Sequence, residues 1–227
     1  SPAITLDGNM YSWGLNSEFQ LGIPDRYHKL RPVMIMQDKT FVSATAAEYH
    51  AAAVDTEGKV WIWGANTLSG VIHHDYNTWS LCWDSEKKNF SLPCDPRNSY
   101  PSTLCSEIDC CIPSPTKSCT RVPTVGGQLG LGPSVYYKAT PTVVTGMNGT
   151  AISVSCGQFH CLVLMSDGKM YAWGDNTYGQ LGNGKYGTNV REYTPVPVAN
   201  SISNGEILSS VKIIAISAGA SHSMALS

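Results

Sequence analysis

Asp167-Gly168-Lys169-Met170-Tyr171-Ala172-Trp173-Gly174-Asp175-Asn176, with Gly179-Gln180-Leu181-Gly182 behind it, decides how this chain is read, because it recurs. Asp7-Gly8-Asn9-Met10-Tyr11-Ser12-Trp13-Gly14-Leu15-Asn16 is a second copy, followed by Phe19-Gln20-Leu21-Gly22. Glu57-Gly58-Lys59-Val60-Trp61-Ile62-Trp63-Gly64-Ala65-Asn66 is a third. A shorter element also recurs: Ala47-Glu48-Tyr49-His50, Gly157-Gln158-Phe159-His160 and Gly219-Ala220-Ser221-His222. The register is strict, since His50 to Trp63 and His160 to Trp173 are both thirteen residues, and Trp13 to Gly22 and Trp173 to Gly182 are both nine. Self-similarity at fixed spacing marks units that bury their apolar faces by stacking on one another.

Within each copy the period is two. Val60 and Ile62 alternate with Trp61 and Trp63, and Met170 and Ala172 with Tyr171 and Trp173, which predicts strands. The Glu57-Gly58 and Asp167-Gly168 pairs fall between strands, where glycine supplies the positive φ of a tight hairpin. Trp-Gly closes a strand, with the indole expected between neighbouring sheets. A proline-bearing strand follows each Gln-Leu-Gly: Arg31-Pro32-Val33, Thr140-Pro141-Thr142-Val143 and Thr194-Pro195-Val196-Pro197-Val198. Small residues occupy facing positions on either side of the histidine element: Ala46 and Ala51, Cys156 and Cys161, Ala218 and Ser223. They suit inner strands, where sheets crowd toward an axis.

One copy is interrupted. Trp63 lies 67 residues from Gly130, where the other copies need nine, so 58 residues are inserted in that repeat. The predicted organisation is repeats over 1–67, a cysteine-rich insertion over 68–126, and repeats again over 127–227. Ser227 falls five positions after His222, and Thr5-Leu6-Asp7-Gly8 reads as the continuation, so both ends are expected to cut through a repeat.

This pattern resembles the repeats of the regulator of chromosome condensation family, and the resemblance covers everything outside the insertion. It implies an all-β fold: β-propeller blades of four antiparallel strands, about seven in a closed ring, of which this chain holds about three repeats. It also implies that Trp13, Gly14, Trp63, Gly64, Trp173, Gly174, His50, His160 and His222 are blade-structural. The family's founding member catalyses nucleotide exchange on a small nuclear GTPase while bound to chromatin, and some secreted bacterial relatives inhibit enzymes.

Composition narrows the function. Charged residues are 14% and the net charge is −2, too neutral for a nucleic-acid-binding face. No apolar run reaches the ~18 residues of a membrane span. The eight cysteines are even in number. Six of them, Cys82, Cys94, Cys105, Cys110, Cys111 and Cys119, lie in the insertion, which is small and rich in proline, so disulfides are expected to supply what burial does not. No Cys-x-x-Cys pair suggests a zinc ribbon, and the six allow fifteen pairings. Cys156 and Cys161 flank a four-residue turn, either as a disulfide or as two buried thiols. Sequons at Asn89 and Asn148, with the clustered cysteines, point to an oxidising, secreted or cell-surface setting and N-linked glycans. Ser114-Pro115-Thr116 is compatible with O-glycosylation.

No catalytic constellation emerges, and no cofactor or metal site is expected. The three repeat histidines are expected on separate blades, bonding locally within their turns, and His73-His74-Asp75 reads as a solvated loop. The expected function is a non-catalytic extracellular interaction or assembly module whose partners are proteins, copies of itself among them, through contacts that generate rings or filaments. The alternatives are a guanine-nucleotide exchange factor and a secreted enzyme inhibitor, the latter with Tyr136, Tyr137, Tyr178 and Tyr186 as contact anchors.

Overall fold

Alternating burial converts each repeat into a sheet. The structure is a computed structural model that describes residues 2–67, 125–199 and 212–227, and the backbone of three strands between them. Strands β1 (Pro2–Ile4), β2 (Met10–Gly14) and β3 (Lys29–Ile35) form blade one, all antiparallel. β4 (Phe41–Ala46), β5 (His50–Asp55) and β6 (Val60–Ala65) begin blade two. In the interruption, β7 (Ser80–Asp84), β8 (Asn89–Cys94) and β9 (Lys117–Thr120) pair in the order β8-β7-β9. β10 (Tyr137–Val143) then completes blade two in the order β4-β5-β6-β10. β11 (Ala151–Cys156), β12 (His160–Met165), β13 (Met170–Asp175) and β14 (Arg191–Pro197) make blade three, and β15 (Ala215–Ala218) and β16 (Ser223–Leu226) make two strands of blade four.

The chain divides into two compact units, Ser1–Ile72 with Val125–Ser227, and His73–Thr124. In the second unit the register sets Cys82 opposite Cys119. The side chains of Cys82, Cys94, Cys119 and Asn89, and all of Cys105, Cys110, Cys111, His73, His74, Asp75 and Ser114 to Thr116, lie outside the described residues.

The core lies between blades. Met10, Ile35 and Phe41 meet Ala51, Ala53 and Trp63 at the first joint. At the second, Val54, Val60 and Ile62 meet Val154, Val163 and Trp173. Every residue of β5 and of β12 is buried, because each of these strands is sandwiched on both faces. The small facing pairs of the sequence are true register partners, Ala46 with Ala51, Cys156 with Cys161 and Ala218 with Ser223.

The inner strands leave a row of backbone donors with no strand beside them, a liability that must be met by other acceptors. Hydroxyls of the neighbouring blade meet it. Val154 N–H donates to Ser43 Oγ and Cys156 N–H to Thr45 Oγ1, each at 3.2 Å, and Ala218 N–H donates to Ser155 Oγ at 2.9 Å. At the outer edge, Pro32, Pro141 and Pro195 fall within the register shifts of β3, β10 and β14, where the absent N–H breaks no ladder bond.

The Trp-Gly pair locks the first two joints. Trp63 Nε1–H donates to the Gln20 carbonyl at 3.0 Å, and Trp173 Nε1–H to the Gln128 carbonyl at 2.9 Å. Each indole thus crosses to the Gln-Leu-Gly loop of the preceding blade. The glycine after it has φ of +104° at Gly64 and +105° at Gly174. A Cβ there would overlap the carbonyl oxygen of Tyr49 or Phe159. Those same oxygens accept from Ala65 N–H and Asp175 N–H, both at 2.8 Å, so they are held in place.

Gly14 has φ +104° and nothing within 4 Å of a built Cβ, which makes it the control for this packing. Gly14→Ala is expected to cost about 1–2 kcal/mol for the left-handed backbone alone. Gly174→Ala is expected to cost about 2 kcal/mol more, since backbone must move to relieve the overlap. Urea unfolding of the two variants checks the difference.

Candidate interaction face

Antiparallel strands send successive connections to opposite ends of a blade. The histidine turns 47–49 and 157–159 therefore share one end with the long connections after β2, β6 and β13. The Asp-Gly hairpins and the loop 144–150 occupy the other end.

At the first end each long connection is pinned by one asparagine. Asn16, Asn66 and Asn176 are completely buried. Their Oδ1 atoms accept from Leu21 N–H, Leu129 N–H and Leu181 N–H, each at 3.0 Å. Their Nδ2 atoms donate to carbonyls farther along: Asn16 to Ile23 (3.2 Å) and Asp25, Asn66 to Val135 (2.6 Å), Asn176 to Lys185 (2.9 Å). In blade two this asparagine bonds a leucine 63 residues away in sequence, and so closes the root of the insertion. A bridge between Thr67 and Val125, Gly126 N–H to the Asn66 carbonyl (2.7 Å) and Gln128 Nε2 to the Thr67 carbonyl (2.9 Å) complete that root. These asparagines recur in every copy, three residues after the tryptophan. That repetition was the signal by which their role was legible, but composition alone did not assign it.

The pinned loops carry the exposed aromatics. Tyr27, Tyr178 and Tyr186 are 77%, 76% and 78% exposed, too open to be rim packing. Tyr137 stacks on Phe19 at 5.4 Å between ring centroids, and the Arg26 guanidinium lies 4.8 Å over the Phe19 ring. Phe19 stands where the other repeats have Gly127 and Gly179, and it takes the same left-handed backbone, φ +59°. A bulky residue held in that region is a strained choice that marks a place worth testing for function. Between the histidine turns, Gln158 Nε2 donates to Glu48 Oε2 at 3.0 Å. The hydrogen bond to Glu48 raises the Tyr49 phenol above its ordinary pKa.

The opposite end carries exposed ion pairs, Lys59 with Glu57 at 2.7 Å and Lys169 with Asp167 at 2.6 Å, which stabilise little in water. Asn148 lies there too, exposed in the loop between β10 and β11. The sequon is therefore on the end away from the long connections.

Where spacing suggested bonds within their own turns, His50 and His160 instead reach the next blade. His160 Nε2 lies 3.0 Å from Ser223 Oγ, and Ser223 Oγ–H donates to the Gln180 carbonyl at 2.7 Å, so His160 carries its proton on Nε2. His50 Nε2 lies 3.4 Å from Cys161 Sγ. The reason is geometric: each ring points out of its sheet toward the residue that follows the next histidine, not along its own turn. His222 is exposed. Cys156 and Cys161 form a disulfide. Among the described residues no helix is long and apolar enough to cross a membrane.

Burial holds both bonded histidines neutral. Desolvation, with the charge of His160 adding to it, lowers the His50 pKa to about 3. Desolvation lowers His160 to about 4, against the opposing pull of Asp175. The unfolded chain protonates near the ordinary value of 6.5 and so binds more protons between the two. Stability is full above pH 6.5 and falls as pH drops toward 4, by up to about 1.4 kcal/mol per pH unit for each histidine. His160→Gln keeps an N–H toward Ser223 and is expected to reduce the slope of melting temperature against pH by the share of one histidine. Asn66→Ala, which opens the insertion root, is expected to cost about 1–3 kcal/mol at any pH. Thermal melts from pH 7 to 4 read both.

A profile described as the regulator of chromosome condensation (RCC1) repeat matches residues 7–54, 125–164 and 167–226, and a second profile of that description matches 151–180. The chain is 30% identical to the E3 ubiquitin-protein ligase HERC2 of Homo sapiens over 99% of its own length and 4% of that protein's. It is 25% identical to protein pim1 of Schizosaccharomyces pombe over 80% of its length and 36% of that protein's. It is 26% identical to the ultraviolet-B receptor UVR8 of Arabidopsis thaliana over 99% of its length and 48% of that protein's. In fold it is similar to Prp20p of Saccharomyces cerevisiae, with a TM-score of 0.60 and 17% identity over 99% of this chain and 40% of that one. The chain thus spans less than half the length of each.

Proposed function

The chain belongs to the regulator of chromosome condensation repeat family, whose repeat profile covers more than half of it, and from that premise we propose that it is a protein-interaction module working through the end that bears the long connections. The observation that carries this reading is the combination of rigidity and exposure there. Buried asparagines fix the loops, and three tyrosines stand more than three-quarters open upon them. Aromatic residues on a fixed scaffold bury large area at small entropic cost, the usual composition of interface anchors. The root of the insertion, Thr67 with Val125, opens at the same end.

In the same reading the module works outside the cell. The Cys156–Cys161 disulfide and the cysteine-rich insertion support this, as does an exposed sequon at Asn148 on the end that binding leaves free. The second reading is nucleotide exchange on a small GTPase. It comes from the repeat family and from no residue of this chain; Prp20p, which binds Gsp1p and histones, is similar to the chain at 17% identity in fold alone.

Crosslinking of native material, with crosslinked peptides mapped by mass spectrometry, tests the face. Crosslinks to other proteins are expected in loops 15–28, 126–136 and 176–190, and Tyr178→Ser with Tyr186→Ser is expected to reduce them at least tenfold while leaving the melting temperature within a few degrees. Crosslinks confined to 56–59, 144–150 and 166–169 would sink the proposal. Release of glycan mass from Asn148 by N-glycosidase, with Cys156–Cys161 oxidised, is expected of an extracellular chain. Acceleration of GDP release from a small GTPase would replace the non-catalytic reading with the second one.

A further inference from the structure

Blade three places two sulfurs where blades two and four place none. The inner facing pair is Ala46 with Ala51 in blade two and Ala218 with Ser223 in blade four. Packing at this position therefore does not require cysteine, and Cys156 with Cys161 is an addition to the repeat. Four residues separate them across a hairpin turn, a Cys-x4-Cys spacing that zinc accepts.

A third donor comes from the preceding blade. His50 Nε2 lies 3.4 Å from Cys161 Sγ, and the donor atoms of His50, Cys156 and Cys161 all lie within 4.8 Å of one another. Zinc bond lengths of about 2.0 Å to nitrogen and 2.3 Å to sulfur put two tetrahedral ligands roughly 3.5 Å apart. The Gln128 carbonyl oxygen is 3.7 Å from Cys161 Sγ and supplies an oxygen within reach of a fourth position. All three side chains are buried, and His50 Nδ1 is without a hydrogen-bond partner among the described residues, which leaves the ring free to carry its proton there.

We propose that, once the Cys156–Cys161 disulfide is reduced by a dithiol, Cys156, Cys161 and His50 bind one zinc-class divalent cation at the joint between blades two and three. The reductant's two thiols become its disulfide, and the cysteines become two thiols. Binding of the dication releases both thiol protons and leaves two thiolates, so the buried site is neutral overall. A monovalent soft ion would leave a net negative charge in a site that water does not reach, which disfavours it. The disulfide links two strands of one blade, whereas the ion links blade three to blade two. Redox state would then move the crosslink from within a blade to between blades. This inference does not rest on the interaction face.

The test uses the full chain, kept reduced with a phosphine and titrated with cobalt(II) as the spectroscopic probe for zinc. Because the insertion cysteines can also bind metal, the variants carry the result. Cys156→Ala and Cys161→Ser install the side chains that blades two and four carry at these places, so both are expected to fold. Each is expected to lose one equivalent of cobalt, and His50→Gln to weaken that equivalent at least tenfold and shift its visible bands. Unchanged stoichiometry in Cys161→Ser, an unchanged spectrum in His50→Gln, or no bound metal in the reduced parent overturns the proposal. The oxidation state of the pair in native material is read separately by peptide mapping and bears only on the extracellular reading.

Discussion

One hydrogen bond at each of the first two joints, from an indole N–H to the main-chain oxygen of the preceding blade's glutamine, organises this molecule. Trp63 reaches Gln20 and Trp173 reaches Gln128, each from a fully buried position. A tryptophan buried without an acceptor would leave its N–H unsatisfied, and a glutamine carbonyl in a buried loop would lack a donor. The pair settles both at once and sets how far apart neighbouring blades stand. The glycines around it follow from that separation. Gly64 and Gly174 clear the preceding histidine turn, and Gly22 and Gly130 clear the indole itself.

Because each blade is held to the next through its connecting loop, the loop cannot drift, and this is why a long insertion is tolerated. Loop closure grows only slowly more costly with length, provided the ends of the loop are fixed. Asn66 fixes them by bonding Leu129, and the Thr67–Val125 bridge repeats the constraint one residue outward. Blade two therefore has the same four strands as blade three, although its outermost strand arrives after the whole of the second unit.

The same economy explains the joints between inner strands. Ser43, Thr45 and Ser155 are hydroxyl residues that would be unremarkable on any strand, yet each satisfies a backbone donor of the neighbouring blade. His50 and His160 extend this pattern, bonding one blade to the next through a sulfur in one case and a hydroxyl in the other. Interblade cohesion is thus a set of individually modest polar bonds laid over a continuous apolar core, and burial of the histidines ties that cohesion to pH.

The sequence by itself determined the strands, their turns, the blade type, the repeat that is interrupted, and the facing pairs such as Ala46 with Ala51. All of these are properties of one repeat: period-two alternation and fixed spacing are local, and local backbone preferences decide them. The tertiary structure decided the rest. That His50 meets Cys161 and that His160 meets Ser223 depend on how one sheet stacks on the next. Stacking brings together residues 63 or 111 positions apart, and no spacing within a repeat encodes which of them will touch.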